Sequence, residues 1–121
     1  MHNFTVEIKP KPEKCDVFVG ANLFENLAEY LAEKKLGNNY ILITDAKVKN
    51  LYGNKLLERL NIRFLKTSLL SFPDGEIYKT RATKVMLEDK MFELGAGRDT
   101  VIIALGGGVV GDMAGFVAST Y

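Results

Sequence analysis

The sequence is poor in the residues that build disulfides and metal centres. Its 121 residues include one cysteine, Cys15, and one histidine, His2. A single cysteine excludes a disulfide within the chain, and a Cys/His zinc site needs about three or four such ligands. Cys15 also lacks a neighbouring histidine and a glycine-rich turn, so we expect a buried or edge-strand thiol and not a nucleophile. We predict no metal-ligand residues in this chain.

The charge balance and the lack of long hydrophobic runs exclude further classes of function. The sequence contains 16 lysines and arginines and 15 aspartates and glutamates, so its formal net charge is +1. Proteins that bind nucleic acids or anionic membranes by general attraction carry a clear basic excess. No apolar run approaches the length of a membrane span or of a signal-peptide core. We therefore expect a soluble, cytoplasmic protein without nucleic-acid or membrane partners, in which any phosphate site is local.

Alternating hydrophobicity near the start predicts an antiparallel β-ribbon. Residues 4–8 and 15–19 each alternate apolar and polar side chains, which is the period of a half-buried strand. Pro10 and Pro12 stop the first of these segments. The ribbon is expected to precede the main sheet.

Strands and helices alternate along the remainder of the chain, as they do in α/β proteins. This order predicts right-handed crossovers and a doubly wound, mostly parallel, Rossmann-like sheet that binds ligands at the carboxyl ends of its strands. The length suits one domain. The predicted elements are a helix from Asn22 to Gly37, a strand at 40–44, a helix at 48–60, a strand at 64–70, a helix at 78–94, a strand at 100–105 and a helix from about Val110.

Three consecutive glycines, residues 106–108, follow the last predicted strand. They permit positive φ angles and let a ligand approach the backbone, and the N-terminus of the next helix adds partial positive charge. Asp112 is expected in the first turn of that helix, where it either caps free N–H groups or accepts a hydrogen bond from a ribose hydroxyl. Because the spacing is not the G-x-G-x-x-G fingerprint, pyrophosphate binding and a tight turn both stay open.

Two segments together resemble a known enzyme family. Residues 106–121, GGGVVGDMAGFVASTY, resemble the glycine-rich signature of 3-dehydroquinate synthases, and residues 73–80, PDGEIYKT, resemble a second segment of the same family. Their order and spacing also fit. The resemblance spans the whole chain but only about the N-terminal third of such an enzyme. It therefore implies that residues 1–121 are a truncated N-terminal NAD-binding domain, without the C-terminal domain that binds metal and substrate.

The resemblance implies where NAD contacts this sequence. Glu76 is implied at ribose hydroxyls and Lys79 at negative charge, whereas the residues alone also fit a solvated helix start. Asp45, after the predicted strand 40–44, matches a family position beside the adenosine ribose, but it would serve equally well as the N-cap of the next helix. The full implied set is Asp45, Asp74, Gly75, Glu76, Ile77, Tyr78, Lys79, Gly107, Gly108, Val109, Val110, Gly111 and Asp112.

The resemblance also implies a reaction that this chain cannot complete alone. The family converts 3-deoxy-D-arabino-heptulosonate 7-phosphate to 3-dehydroquinate and phosphate in the shikimate pathway, and regenerates NAD in each turnover. Its divalent metal, zinc or cobalt, is held by residues further along the chain, and the full-length enzyme is expected to be a homodimer. We therefore expect no catalytic residue here, no activity of the isolated chain, weak NAD affinity, and exposed apolar surface around Val117, Ala118 and Tyr121.

Three other interpretations stay open at this point. Sugar-phosphate cyclases that make cyclitols resemble this NAD domain, and the residues that set their substrate choice lie outside the chain. Metal-dependent polyol dehydrogenases share the layout and a Gly-Gly-Gly loop, although their segment around Asp74 is expected to differ. A stand-alone, non-catalytic nucleotide-binding module is the third alternative.

Overall fold

The computed structural model describes residues 2–11 and 13–121, and its regular structure begins at Phe24. Short connections join strands to helices throughout. The elements are helix α1 (Phe24–Lys34), strand β1 (Asn39–Asp45), helix α2 (Ala46–Val48), a π-helical turn (Lys49–Gly53), helix α3 (Asn54–Ile62), strand β2 (Thr67–Phe72), a 3-10 turn (Glu76–Tyr78), helix α4 (Arg81–Glu93), strand β3 (Thr100–Leu105) and helix α5 (Gly108–Thr120).

The strands form one parallel sheet in the order β2-β1-β3, so the first strand in sequence lies in the middle. Register runs from Tyr40–Thr67 to Asp45–Phe72 between β1 and β2, and from Asn39–Thr100 to Thr44–Leu105 between β1 and β3. The central strand is buried over residues 40–44, as its apolar run predicts for a strand that is covered on both faces. The predicted α/β fold with a parallel sheet is confirmed.

Helices cover both faces of the sheet, because successive side chains of a strand point in opposite directions. Ile41 and Ile43 face α4 and α5, whereas Tyr40 and Leu42 face α1 and α3. Burial of each such aliphatic side chain stabilises the fold by about 1.5–3 kcal/mol. The first core also contains Leu70, Phe72, Leu87, Met91, Val110, Met113, Ala114 and Val117, and the second contains Ala28, Leu31, Leu56 and Leu60.

The predicted N-terminal β-ribbon is absent from the described residues 2–11 and 13–19, which form neither strand nor helix. Phe4, Val6 and Ile8 are at least 84% exposed. A two-stranded ribbon is marginal unless its apolar face packs against other elements, and these side chains have no such cover. Cys15 is exposed, so the prediction of a buried or edge-strand thiol is wrong. Pro12 lies outside the described residues.

Several predicted boundaries also shift. Asn22 does not cap α1: it has a φ of 55°, and Leu23 precedes the helix without a side-chain cap. β2 begins later than predicted because Phe64, with a φ of 61°, belongs to the turn after α3. α4 begins at Arg81 because the hydroxyl of Thr80 accepts a hydrogen bond from the Thr83 N–H at 3.2 Å.

Two further expectations are corrected in the helical layers. The helix predicted at 48–60 is divided by the π-helical turn that ends at Gly53. Val117 is buried in the first core, while Ala118 and Tyr121 are exposed as expected. Among the described residues, no helix has the length and apolar character needed to cross a membrane.

Candidate nucleotide-binding site

The carboxyl ends of β1 and β3 define the candidate site. After β1 the chain continues into α2 and α3 on one face of the sheet, and after β3 it continues into α5 on the other. Such a point, where adjacent strands send the chain to opposite faces, leaves a crevice in which α/β proteins bind ligands. Asp45 ends β1, and residues 106–108 follow β3. Both lie at this crevice, as the parallel sheet requires.

The first glycine of the loop is required by the fold itself. Gly106 has a φ of 153°, which side-chain-bearing residues rarely adopt, and a Cβ placed on it would lie 2.6 Å from Cγ2 of Val110. Val110 is buried in the core against the sheet, so it cannot move aside. Gly106 therefore brings β3 and the first turn of α5 into close contact.

The following glycines are not explained by packing within the chain. A Cβ at Gly107, Gly108 or Gly111 would meet no atom within 4 Å. Their positions form a surface without side chains at the start of α5. The space that side chains would occupy at these three positions is therefore open beside the helix N-terminus. A pyrophosphate fits this kind of open surface, which we call the pyrophosphate cradle.

The N-terminus of α5 also has unused hydrogen-bonding capacity. Gly107 is its N-cap residue and has no side chain to cap the helix, and the first intrahelical bond runs from the Gly111 N–H to the Gly107 carbonyl at 3.0 Å. The N–H groups of the first turn precede that bond, and helix geometry gives them no acceptor within the helix. Val109 and Val110 direct their side chains toward the core, so any ligand contact would use their backbones.

An ion pair connects the two segments that carry the family resemblance. Lys79 Nζ lies 2.7 Å from Oδ2 of Asp112 and 3.8 Å from Oε1 of Glu76. The hydrogen bond to Asp112 is the main cause of a raised pKa at Lys79, so its ammonium group is charged at neutral pH. The contact places the loop after β2 beside α5, at the end of the glycine loop.

The same geometry decides between two interpretations of Asp112. α5 begins at Gly108 and not near Val110, so Asp112 lies beyond the first turn and makes no cap. Its carboxylate pairs with Lys79 instead, while keeping substantial exposure at the crevice. The capping interpretation of Asp112 is therefore wrong.

For Asp45, the structure shows the capping role that the sequence left open. Oδ1 of Asp45 accepts a hydrogen bond from the Val48 N–H at 2.8 Å, which starts α2. The residue is half-buried at the end of β1. A contact between Asp45 and a ribose stays a prediction.

The segment from Asp74 to Tyr78 forms an exposed turn at the rim of the site. Gly75 has a φ of 116°, and the Tyr78 N–H donates to the Gly75 carbonyl at 3.1 Å. Ile77 is 80% exposed, so its side chain points into solvent. Lys79, which follows the turn, contacts α5 through its ion pair with Asp112, and Glu76 lies beside Lys79.

The sequence predicted no role for Thr44, which the structure places near the end of β1, opposite Leu105 at the end of β3. Its side chain is fully buried, and Oγ1 donates a hydrogen bond to the Leu105 carbonyl at 2.7 Å. The available signal was a lone hydroxyl at the end of the apolar run 40–44, immediately before Asp45. From the sequence alone, such a residue indicates only the end of a strand, because the sequence does not show that β3 lies beside it.

The described residues offer no metal centre of their own. Within residues 2–11 and 13–121, no three His, Cys, Asp or Glu side chains are grouped so that they could hold an ion. We therefore assign no metal chemistry to these side chains.

A family model supports the relationship that the motifs indicated. Residues 69–121, which include both the turn after β2 and the glycine loop, match the family described as 3-dehydroquinate synthase N-terminal. Over these residues, which are a little less than half of the chain, it is similar to the N-terminal part of 3-dehydroquinate synthases. The match covers every predicted NAD contact except Asp45.

Relatives and solved structures extend the similarity beyond that segment. The 3-dehydroquinate synthase of Vibrio atlanticus (strain LGP32) is 43% identical over 121 residues, which are 100% of this chain and 33% of the relative. A 2-epi-5-epi-valiolone synthase from Streptomyces hygroscopicus subsp. jinggangensis 5008, solved with NAD+ and Zn2+ bound, matches with a TM-score of 0.75 at 30% identity. That match covers 98% of this chain and 32% of the solved one.

A second solved structure has a similar fold and was solved with several bound molecules. A 2-deoxy-scyllo-inosose synthase complexed with carbaglucose-6-phosphate, NAD+ and Co2+ matches with a TM-score of 0.74 at 32% identity, over 84% of this chain and 27% of its own. The present chain spans about a third of the length of the curated relatives that it matches.

Proposed function

We propose that this chain is the NAD-binding part of a 3-dehydroquinate synthase, which converts 3-deoxy-D-arabino-heptulosonate 7-phosphate to 3-dehydroquinate and phosphate. The observation that carries the proposal is the 2.7 Å contact between Lys79 and Asp112. It joins both family segments beside a helix N-terminus that has no side-chain cap. A 43% identical synthase from Vibrio atlanticus supports this reaction over those of the cyclitol synthases, which match at 30–32%.

In this proposal the residues of the crevice bind and orient NAD, which supplies a hydride acceptor and donor when bound. The backbones of Gly107, Gly108, Val109, Val110 and Gly111 surround the pyrophosphate, because N–H groups at a helix N-terminus favour anions. No side chain stands between them and the ligand. The glycine loop therefore recognises charge without any basic excess in the chain.

The polar side chains at the rim complete the proposed NAD site. Lys79 offsets the negative charge of the pyrophosphate, and the carboxylates of Glu76 and Asp112 accept hydrogen bonds from ribose hydroxyls. Asp45 stands at the end of β1 for the adenosine ribose while it caps α2. The remaining members of the set, in the exposed turn, are Asp74, Gly75, Ile77 and Tyr78.

The rest of the reaction is assigned to the part of the enzyme that follows this domain in the relatives. We propose that this part holds a divalent metal, zinc or cobalt, and the sugar-phosphate substrate. The two solved cyclases, with Zn2+ in one and Co2+ and a sugar-phosphate analogue in the other, support this division. We further propose that the complete enzyme is a cytoplasmic homodimer.

The NAD proposal is tested by comparing glycines that the fold tolerates equally well as alanines. A Cβ at Gly108 or at Gly115 meets no atom within 4 Å, so neither substitution crowds the protein. Gly108→Ala is expected to weaken NAD binding about tenfold or more, since the methyl group enters the pyrophosphate cradle. Gly115→Ala, further along α5, is the matched control and should bind NAD like the unmodified chain.

NMR titration of the 121-residue chain suits the weak affinity that we expect. NAD should shift the backbone amide signals of residues 107–111, and Gly108→Ala should need a higher NAD concentration for the same shift. An absence of amide shifts at saturating NAD, or equal affinities for the two alanine variants, would show that the glycine loop is not the NAD site.

The proposed role as the NAD-binding part of a synthase is tested by a chimera. Residues 1–121 are joined to the C-terminal two-thirds of the Vibrio atlanticus synthase, and 3-dehydroquinate formation is measured with NAD and zinc. Activity with 3-deoxy-D-arabino-heptulosonate 7-phosphate is expected. A folded chimera that forms no 3-dehydroquinate would contradict the proposal that this chain serves as the NAD-binding part of such a synthase.

A further inference from the structure

Thr44 is a completely buried side chain with a polar group, near the carboxyl end of β1. It is 0% exposed at the end of the apolar run of β1, opposite Leu105 in the register with β3. Its hydroxyl donates to the Leu105 carbonyl at 2.7 Å. Valine has nearly the same shape and would avoid burying a hydroxyl, so packing alone does not account for threonine here.

The hydrogen bond acts on the peptide group that begins the glycine loop. The carbonyl of Leu105 and the N–H of Gly106 belong to one planar trans peptide, so holding the carbonyl oxygen fixes the orientation of the whole group. On its other side, Gly106 packs so closely on Val110 that a Cβ would lie 2.6 Å away. The loop is thus held at its start by Thr44 and at its end by the buried side chain of Val110.

We propose that Thr44 is a positioning residue of the glycine loop. By fixing the peptide between Leu105 and Gly106, its hydroxyl holds the backbones of Gly107 and Gly108 in the conformation that receives the diphosphate of NAD. This inference rests on the proposed NAD-binding function. It assigns Thr44 no contact with the ligand, because the side chain is completely buried.

Thr67 supplies a matched control at the opposite end of the sheet. It is also buried, at 8% exposure, and its Oγ1 donates to a carbonyl, that of Leu65, at 2.6 Å. It begins β2, far along the strand direction from the glycine loop. Removing either hydroxyl deletes one buried hydrogen bond to a carbonyl, so a purely structural role predicts similar behaviour of the two variants.

The test measures dissociation constants for NAD and for adenosine by NMR titration of Thr44→Val, Thr44→Ser and Thr67→Val. Thr44→Val is expected to weaken NAD binding about tenfold and to change adenosine binding by less than about twofold, because adenosine lacks the diphosphate. Thr44→Ser keeps a hydroxyl and is expected to restore NAD binding. Thr67→Val should lower the melting temperature but bind NAD as the unmodified chain does. Equal NAD affinity of folded Thr44→Val and Thr67→Val would overturn the positioning role.

The two proposals fail in distinguishable ways. If the unmodified chain does not bind NAD, the proposed function is wrong. If it binds NAD and Thr44→Val binds equally well, only the role of Thr44 is wrong. Should Thr44→Val not fold, Thr44→Cys offers a weaker donor in a similar volume. Weaker NAD binding by that variant supports the inference, and unchanged binding overturns it.

Discussion

The two ends of the sheet use their polar groups in different ways. At the amino end, side chains and backbone pair with one another: Asn38 Nδ2 donates to Asp99 Oδ2 at 2.6 Å, and Asn61 bonds both the N–H and the carbonyl of Thr67. At the carboxyl end, the start of α5 has no side-chain cap and three glycines face open space. Polar groups that hydrogen-bond to one another within the protein contribute to its stability, whereas the N–H groups at the start of α5 are available to a ligand.

The largest expected effects come from a glycine at each end that cannot accept a side chain. A Cβ on Gly106 would lie 2.6 Å from Val110, and a Cβ on Gly37 would lie 2.4 Å from the Asp99 carbonyl oxygen. Gly106→Ala and Gly37→Ala should each lower the free energy of unfolding by about 2–4 kcal/mol in urea titrations. Under conditions where both variants are folded, only Gly106→Ala should also lose NAD affinity. Loss of affinity in both would remove the distinction between the ends.

Asn61 tests the closed, amino-terminal end of the sheet. Asn61→Ala removes hydrogen bonds of 3.0 and 3.2 Å to the backbone of Thr67, so the free energy of unfolding should fall by about 1–2 kcal/mol. The NAD dissociation constant should not change, because the carboxyl end of the sheet is untouched. A clear change in NAD affinity at unchanged fold would show that the two ends are coupled.

Lys79 tests the open, carboxyl-terminal end. Its pair with Asp112 is largely exposed, with side-chain exposures of 41% and 61%, so Lys79→Met should hardly change stability. NAD binding should weaken about threefold to tenfold, since a charge-assisted contact with the pyrophosphate is lost. Calorimetry or NMR titration of NAD into the two proteins measures the change. A large loss of stability with intact NAD affinity would make the ion pair structural.

The smallest effect is expected for an ion-pair cluster that joins Glu25 of α1 to Arg59 of α3 and Arg63 just after it. Arg63 and then Arg59 lower the pKa of Glu25 from its ordinary value of 4.5 by hydrogen bonding to its carboxylate. A carboxyl whose pKa is lower in the folded state stabilises the protein above its unfolded pKa, and this contribution is lost as pH falls through the folded pKa. Glu25→Gln should therefore lower the free energy of unfolding slightly near neutral pH, and it should remove the part of the fall in stability below about pH 4.5 that comes from protonation of Glu25, with no effect on NAD.

Much of the architecture was predictable because it depends on patterns within short segments. The run 40–44 is apolar without interruption, which indicated a strand covered on both faces, and the structure places it in the centre of the sheet. Helical spacing likewise located α1, α3 and α4, although their ends shifted. Boundaries depend on single contacts, such as the Thr80 cap of α4, that a pattern does not contain.

The failures occurred where a pattern needs a partner from elsewhere in the chain. Residues 4–8 alternate as a strand does, yet they stay exposed without any strand beside them in the described residues. Asp112 was expected in the first turn of a helix, either as a cap or as a ribose contact, but α5 starts earlier and Asp112 pairs with Lys79 instead of capping the helix. In each case the local pattern described what the residues can form, but it contained no information about their neighbours in the folded protein.

The sequence by itself determined the class of fold and the resemblance to 3-dehydroquinate synthases, and it marked the glycine loop as a candidate anion site, because propensity, periodicity and motif spacing are properties of neighbouring residues. Only the tertiary structure decided that Lys79 meets Asp112, that Thr44 holds the start of the glycine loop, and that Gly106 is required by Val110 while Gly107 and Gly108 are open. The reason is that strands distant in sequence become neighbours at one edge of a parallel sheet. Their order, β2-β1-β3, is set by the packing of whole helices on both faces and cannot be read from any one segment.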